Sequence, residues 1–161
     1  LCTPDKRIAL APELLVEDLK RVRTRLLETT DHGPHDLLLI GRRHLRSNNS
    51  WMHNSERLVK GRDRCTLLMN PNDAAARNLT GGQQVQVTSR TGEIEIAVEI
   101  SADMMPGVIS IPHGWGHDRA GVQMSVAEQH AGASINDLTD DQAIDTLCGT
   151  AAFNGTWVSV N

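Results

Sequence analysis

Tyrosine is absent from this chain, phenylalanine occurs once and tryptophan three times. So few flat side chains exclude a binding surface built from rows of aromatic platforms. The formal net charge of −4 argues against a general nucleic-acid binder, which needs an excess of cations. No stretch approaches the roughly 20 consecutive apolar residues that a membrane helix requires, and no basic-then-apolar start resembles a signal peptide. The reading is therefore of a protein with no nucleic-acid and no membrane partner. Cysteines are few: Cys2, Cys65 and Cys148 are odd in number and far apart. There is no Cys-x-x-Cys pair to hold zinc or to cycle as a dithiol. Free thiols and a cytoplasmic location are the expectation.

The 161 residues suit one domain with one sizeable core and a small appendage. Charge is unevenly spread. Residues 31–65 hold seven cations (Arg42, Arg43, Arg46, Arg57, Lys60, Arg62, Arg64) against four acids (Asp31, Asp36, Glu56, Asp63), a balance of +3. From residue 66 onward three arginines face eleven acids, a balance of −8. Cations are thus concentrated where an anion would be met, or they form a solvated surface.

Between Ala11 and Glu28, Leu15, Leu19, Val22 and Leu26 fall on one helical stripe, and a turn-forming run from Thr29 to Pro34 follows. This predicts a linker helix. Asp36 to Gly41 is a short continuous apolar run, the pattern of a strand buried on both faces. Periodicity then vanishes from Arg42 to Arg64, where Arg, His, Asn and Ser predominate, which suits a long loop laid over a polar ligand. Thr66–Met69 reads as a strand, and Asn70-Pro71 opens a short helix reaching about Leu79. Two period-two runs, 84–87 and 93–100, predict a hairpin with one wet face. Val108–Pro112 and Thr156–Val160 complete the strands, and no internal repeat is evident. Short strands with long loops at one rim predict a mainly β closed barrel, with a sandwich as the competing architecture.

Several local signals in this order resemble one family. They are Leu39-Ile40-Gly41-Arg42-Arg43 with its Asn-rich loop, Asn70-Pro71-Asn72-Asp73-Ala74, Gly81-Gly82-Gln83-Gln84-Val85 and Pro106-Gly107-Val108. His113-Gly114-Trp115-Gly116 and Ser134-Ile135-Asn136-Asp137-Leu138-Thr139 follow. Together they resemble the C-terminal molybdopterin dinucleotide-binding domain of the dimethyl sulfoxide reductase and formate dehydrogenase type. The resemblance implies a double-psi β-barrel over residues 35–161, preceded by a linker segment over 1–34 that carries the amphipathic helix.

Candidate cofactor-binding residues follow from chemistry and from the resemblance. Gly41, Arg42 and Arg43 leave a strand end, where guanidinium groups meet phosphate oxygens or merely face solvent. Asn48, Asn49, Ser50 and Asn54 each donate and accept, matching a pterin or guanine edge, or forming an Asn-rich turn. His44 and His53 offer the same dual capacity. Asp73 is placed either to accept from guanine or to cap the helix opened by Asn70. His113 and Trp115 sit in a glycine-flanked loop that permits close approach to a flat ligand, with Trp115 as a core plug the alternative. Asn136 matches an asparagine that lies near the pterin in relatives. A His113–His117 metal pair is disfavoured because Gly114 and Gly116 oppose a helix, and Cys65 lacks the groups that would make it a nucleophile.

The resemblance implies a bis-molybdopterin guanine dinucleotide cofactor whose molybdenum or tungsten is held by the remaining domains of a parent oxidoreductase, with iron-sulfur or other electron-transfer subunits as partners. The chain alone is then catalytically inert, because redox chemistry belongs to the cofactor. The alternative is a small stand-alone subunit similar to that of formylmethanofuran dehydrogenase.

Overall fold

Six strands close on themselves in the computed structural model, which describes residues 2–27 and 36–161. They are β1 (Leu37–Arg42), β2 (Thr66–Met69), β3 (Gln84–Thr88), β4 (Glu93–Ile100), β5 (Val108–Pro112) and β6 (Thr156–Val160). Their order around the barrel is β1-β5-β2-β4-β3-β6, and β6 pairs back onto β1. β1 runs parallel to β5 and β2 parallel to β4, while the other pairings are antiparallel. Closure agrees with the expected double-psi barrel and removes the sandwich.

Alternation explains the core. Val85 and Val87 on β3, with Ile94, Ile96 and Val98 on β4, turn inward, while Gln84, Gln86, Glu93 and Glu95 stay in water. Leu39, Leu67, Met69, Ile109 and Ile111 fill the interior with no exposed surface. Each such side chain contributes about 1.5–3 kcal/mol by leaving water. β1 departs from the expected burial on both faces: Leu37 and Leu39 are buried, Leu38 and Ile40 only partly covered. In a closed barrel only the inner face of a strand is sealed. β5 is the strand buried at every position, its outer side covered in part by the Arg42 side chain, which donates to the Ser110 carbonyl.

The helices are short apart from the first. α1 (Glu13–Leu27) lies within the predicted span, but Leu15, Leu19 and Leu26 of its apolar stripe are 50%, 60% and 74% exposed. The turn expected at residues 29–34 and the boundary expected at 34/35 lie outside the described residues. α2 (Glu56–Val59) is a single turn inside the polar segment, where the lack of periodicity predicts only loop. α3 (Pro71–Ala76) starts as expected, with the Asn70 side chain accepting from the Asn72 N–H at 2.8 Å. It ends earlier than expected because Asn78, at φ 56°, turns left-handed. Asn78 N–H then bonds the Ala75 carbonyl and Leu79 N–H the Ala74 carbonyl, the paired closure that releases Leu79 into the core.

Candidate functional site

Parallel pairing of β1 and β5 delivers both strand ends to the same rim, so the segments after Arg42 and Pro112 meet there. Asn48 and Asn49 turn the first segment with φ of 43° and 64°, a left-handed conformation that asparagine tolerates better than most residues. Gly114 answers from the second segment. Its φ is +90°, and a Cβ there would collide with the backbone of Asn49 and Ser50. At Gly41 a Cβ would overlap the His113 imidazole, so the missing side chain lets that ring lie against the strand.

The two segments and a single 3₁₀ turn (Ile135–Asp137) enclose a cavity of about 510 Å³. Six of the residues singled out from the sequence line it: Arg43, Asn49, Ser50, His113, Trp115 and Asn136. Gly114, His117, Met124 and Phe153 join them. His117 had a signal, its spacing of four from His113, but only as a metal pair; Met124 and Phe153 come from irregular stretches with no periodic signal.

Among the described residues, no carboxylate lines the cavity. The nearby acid Asp137 is ion-paired to Arg119, the Asp118 charge bears on His117, and Arg43, which has no partner among the described residues, bears on His113. Partial burial, and then the Arg43 charge, lower the His113 pKa. A neutral imidazole results, able both to donate and to accept. Behind the wall, His53 and His117 are joined by a 2.7 Å contact between Nδ1 and Nε2. His53 is held down to about 4 by burial, with the His117 charge second and the Gly114 carbonyl opposing. Nε1 of Trp115 is buried without a partner among the described residues. Amide, hydroxyl, imidazole and guanidinium groups beside indole, phenyl and thioether surfaces suit a heterocycle carrying phosphate.

The other candidates lie elsewhere. Arg42 is still in β1 and reaches across β5 to β2, donating to the carbonyls of Ser110 and Thr66, the latter at 2.6 Å, and to Thr66 Oγ1 at 3.0 Å. Its guanidinium is committed to backbone and is not brought to the cavity. His44 accepts from the Arg46 N–H at 3.1 Å through Nδ1. Asn48 is exposed in the turn. Asn54 accepts from the N–H groups of Val126 and Ala127 at 3.0 and 3.2 Å, tying the rim to a following turn. Asp73 sits at the opposite rim, where Oδ2 accepts from the Gly107 N–H at 2.7 Å. That bond links α3 to the turn entering β5, in place of the expected reciprocal cap onto Asn70. Asp73→Ala is expected to cost about 1 kcal/mol by thermal unfolding while leaving the cavity's ligand affinity unchanged; a loss of affinity without a loss of stability would contradict this placement. Cys65 is buried and its thiol pushed up to about 11, chiefly by desolvation, so it stays protonated and packs rather than reacts.

A closed six-stranded barrel with a cavity of about 510 Å³ at one rim, free of carboxylates among the described residues, defines a ligand-holding module. The profile of the Molydopterin dinucleotide binding domain matches residues 37–157, and the chain belongs to that family. It is 33% identical to a tetrathionate reductase subunit of Salmonella typhimurium over 91 residues, 51% of this chain and 9% of that protein. It is 25% identical to the probable oxidoreductase YoaE of Bacillus subtilis over 156 residues, 96% of this chain and 21% of that protein. Among solved structures, acetylene hydratase from Pelobacter acetylenicus shares the fold, with a TM-score of 0.64 at 18% identity, covering 96% of this chain and 20% of that one. The chain therefore spans about a tenth to a fifth of the length of these relatives.

Proposed function

We propose that this chain holds a molybdopterin guanine dinucleotide as the cofactor-binding domain of a larger oxidoreductase, with residues 35–161 as the binding unit and 1–34 as the linker. The observation that carries the reading is the cavity lined by Arg43, Asn49, Ser50, His113, Trp115 and Asn136, with no carboxylate among the described residues, within a chain of the matching family. When bound, the cofactor supplies the redox-active metal, molybdenum or tungsten, in a bis-dinucleotide arrangement held by the rest of the parent. The chain's own residues bind and orient. Arg43, without an ion-pair partner among the described residues, offers its guanidinium to phosphate oxygens. Asn49, Ser50 and Asn136 present donor and acceptor edges to a heterocycle, and neutral His113 does the same. Trp115 and Phe153 provide flat apolar surface that keeps water from one side of the ligand. Iron-sulfur or other electron-transfer subunits are the proposed partners. The cytoplasm is the proposed location, supported by three free cysteines.

Replacing Arg43 with alanine in the full-length protein is expected to lower molybdopterin dinucleotide content severalfold, while the melting temperature of the cofactor-free protein stays within a degree or so. Wild-type content in the variant would remove the phosphate role. Acid hydrolysis of the purified protein is expected to release guanosine monophosphate; release of the cytidine nucleotide would refute the guanine form.

A further inference from the structure

His53 is 1% exposed and stands behind the cavity wall rather than in it, yet it touches two of the rings that form that wall. Its Nδ1 is 2.7 Å from Nε2 of His117. Its imidazole lies 4.0 Å from the Trp115 indole at a tilt of 33°, and meets His117 edge-on at 5.0 Å and 85°. We propose that His53 is a positioning residue for the cofactor cavity: it holds His117 in a single tautomer through one shared proton and fixes the Trp115 indole by stacking. The proposal rests on the cofactor reading above.

Two ring nitrogens this close cannot both carry protons, which would repel, and cannot both be bare, which would set lone pair against lone pair. A neutral pair therefore shares one proton, and the tautomer of either ring dictates that of the other. The remaining nitrogen of His117 then has a fixed role, donor or acceptor, toward its surroundings. Burial favours the neutral form of both rings, and the Gly114 carbonyl acts the other way on each.

Packing alone does not account for an imidazole here. Nε2 of His53 is buried with no partner among the described residues, and an unpaired buried polar atom costs stability that leucine of similar volume would not. The ring is explained by what its other nitrogen does. Trp115 also lines a second hollow of about 300 Å³ on the side of Gly61, Arg62 and Gly132. The indole also packs against the core and lies close to Gly132, and the His53 ring stacked against it is the polar contact that sets its tilt.

Long-range ¹H–¹⁵N spectra of the histidine-labelled chain test this without cofactor. In the wild type, His117 is expected to show one protonated and one bare nitrogen. His53→Asn, whose amide places a polar atom near the Nδ1 position, should keep that pattern. His53→Leu should lose it to averaged signals while the barrel's melting temperature is retained. Averaged His117 signals in the wild type, or a His117 tautomer indifferent to His53→Leu, would overturn the proposal. Should His53→Leu fail to fold, the wild-type and His53→Asn spectra still decide, since loss of the tautomer in His53→Asn is equally fatal. In the full-length protein, cofactor content is expected to fall in His53→Leu and to hold in His53→Asn; equal content in both refutes positioning. Because the spectra are taken without cofactor, their failure leaves the Arg43 test standing, and failure of the Arg43 test leaves the spectra unchanged.

Discussion

Arg42→Met is expected to destabilise the barrel by about 2–3 kcal/mol, read as a lowered urea midpoint, whereas the neighbouring Arg43→Ala leaves that midpoint unmoved. The two arginines are adjacent in sequence and opposite in role. Arg42 spans three strands, its guanidinium donating to carbonyls on β5 and β2. It also meets Thr66 Oγ1, which in turn donates to Glu99 Oε2 at 2.7 Å. Methionine keeps much of the apolar stem's packing, but strands those carbonyls. Each hydrogen bond removed with a partner left behind costs about 1–3 kcal/mol when buried, and the site is part-buried, so the two stranded carbonyls together fall at the low end of their summed range. Burial already lowers the pKa of Arg42, with the Glu99 charge opposing, yet the group stays protonated at any ordinary pH. The effect should therefore be flat across neutral pH. An unchanged midpoint in Arg42→Met would show that water replaces the guanidinium at no cost.

Gly114→Ala is expected to dismantle the cavity while sparing the barrel. The added methyl would have to enter the backbone of Asn49 and Ser50, and the φ of +90° disfavours any L side chain. Strain of this kind costs on the order of 1–3 kcal/mol for the dihedral alone, and overpacking adds a comparable amount. The cheapest escape is for the 43–54 segment to lift off the 113–117 segment, because neither belongs to a strand. Cofactor content in the full-length protein should then fall at least as far as in Arg43→Ala. Limited proteolysis of the chain should cut near residues 43–54, with the β-sheet circular dichroism signal retained. A protease-resistant segment with normal cofactor content would mean that the two backbones do not need their close approach.

The barrel was legible because its strands obey period two. Val85, Val87, Ile94, Ile96 and Val98 declare their inner face from the alternation alone, and the continuous run at Leu37–Ile40 announces a strand, though not its half-covered outer face. The cavity was legible in its polar members. Arg43, Asn49, Ser50, His113, Trp115 and Asn136 stand out by chemistry or by resemblance, and three distant segments bring them together. What escaped was direction. β1 continues through Arg42, one residue beyond the glycine that appeared to end it, so Arg42 shares the outer side with Leu38 and Ile40 and never reaches the rim. Asp73 could not be assigned to a rim because that depends on β2 and β5 being antiparallel, a long-range fact absent from local pattern. His117 was visible only as half of a metal pair, since its partner His53 lies 64 residues away. Met124 and Phe153 lie in stretches that tertiary contacts, not periodicity, place at the cavity.

β6 has a consequence for how the molecule is made. It is the seam between β1 and β3, with Leu37 opposite Val158 and Val87 opposite Val160. During synthesis at about 5–20 residues per second, β1 emerges and then waits roughly ten seconds for its neighbour. Throughout that interval the nascent sheet carries raw edges able to recruit other chains, so translation speed and chaperone supply, as much as final stability, govern the yield of properly sealed molecules.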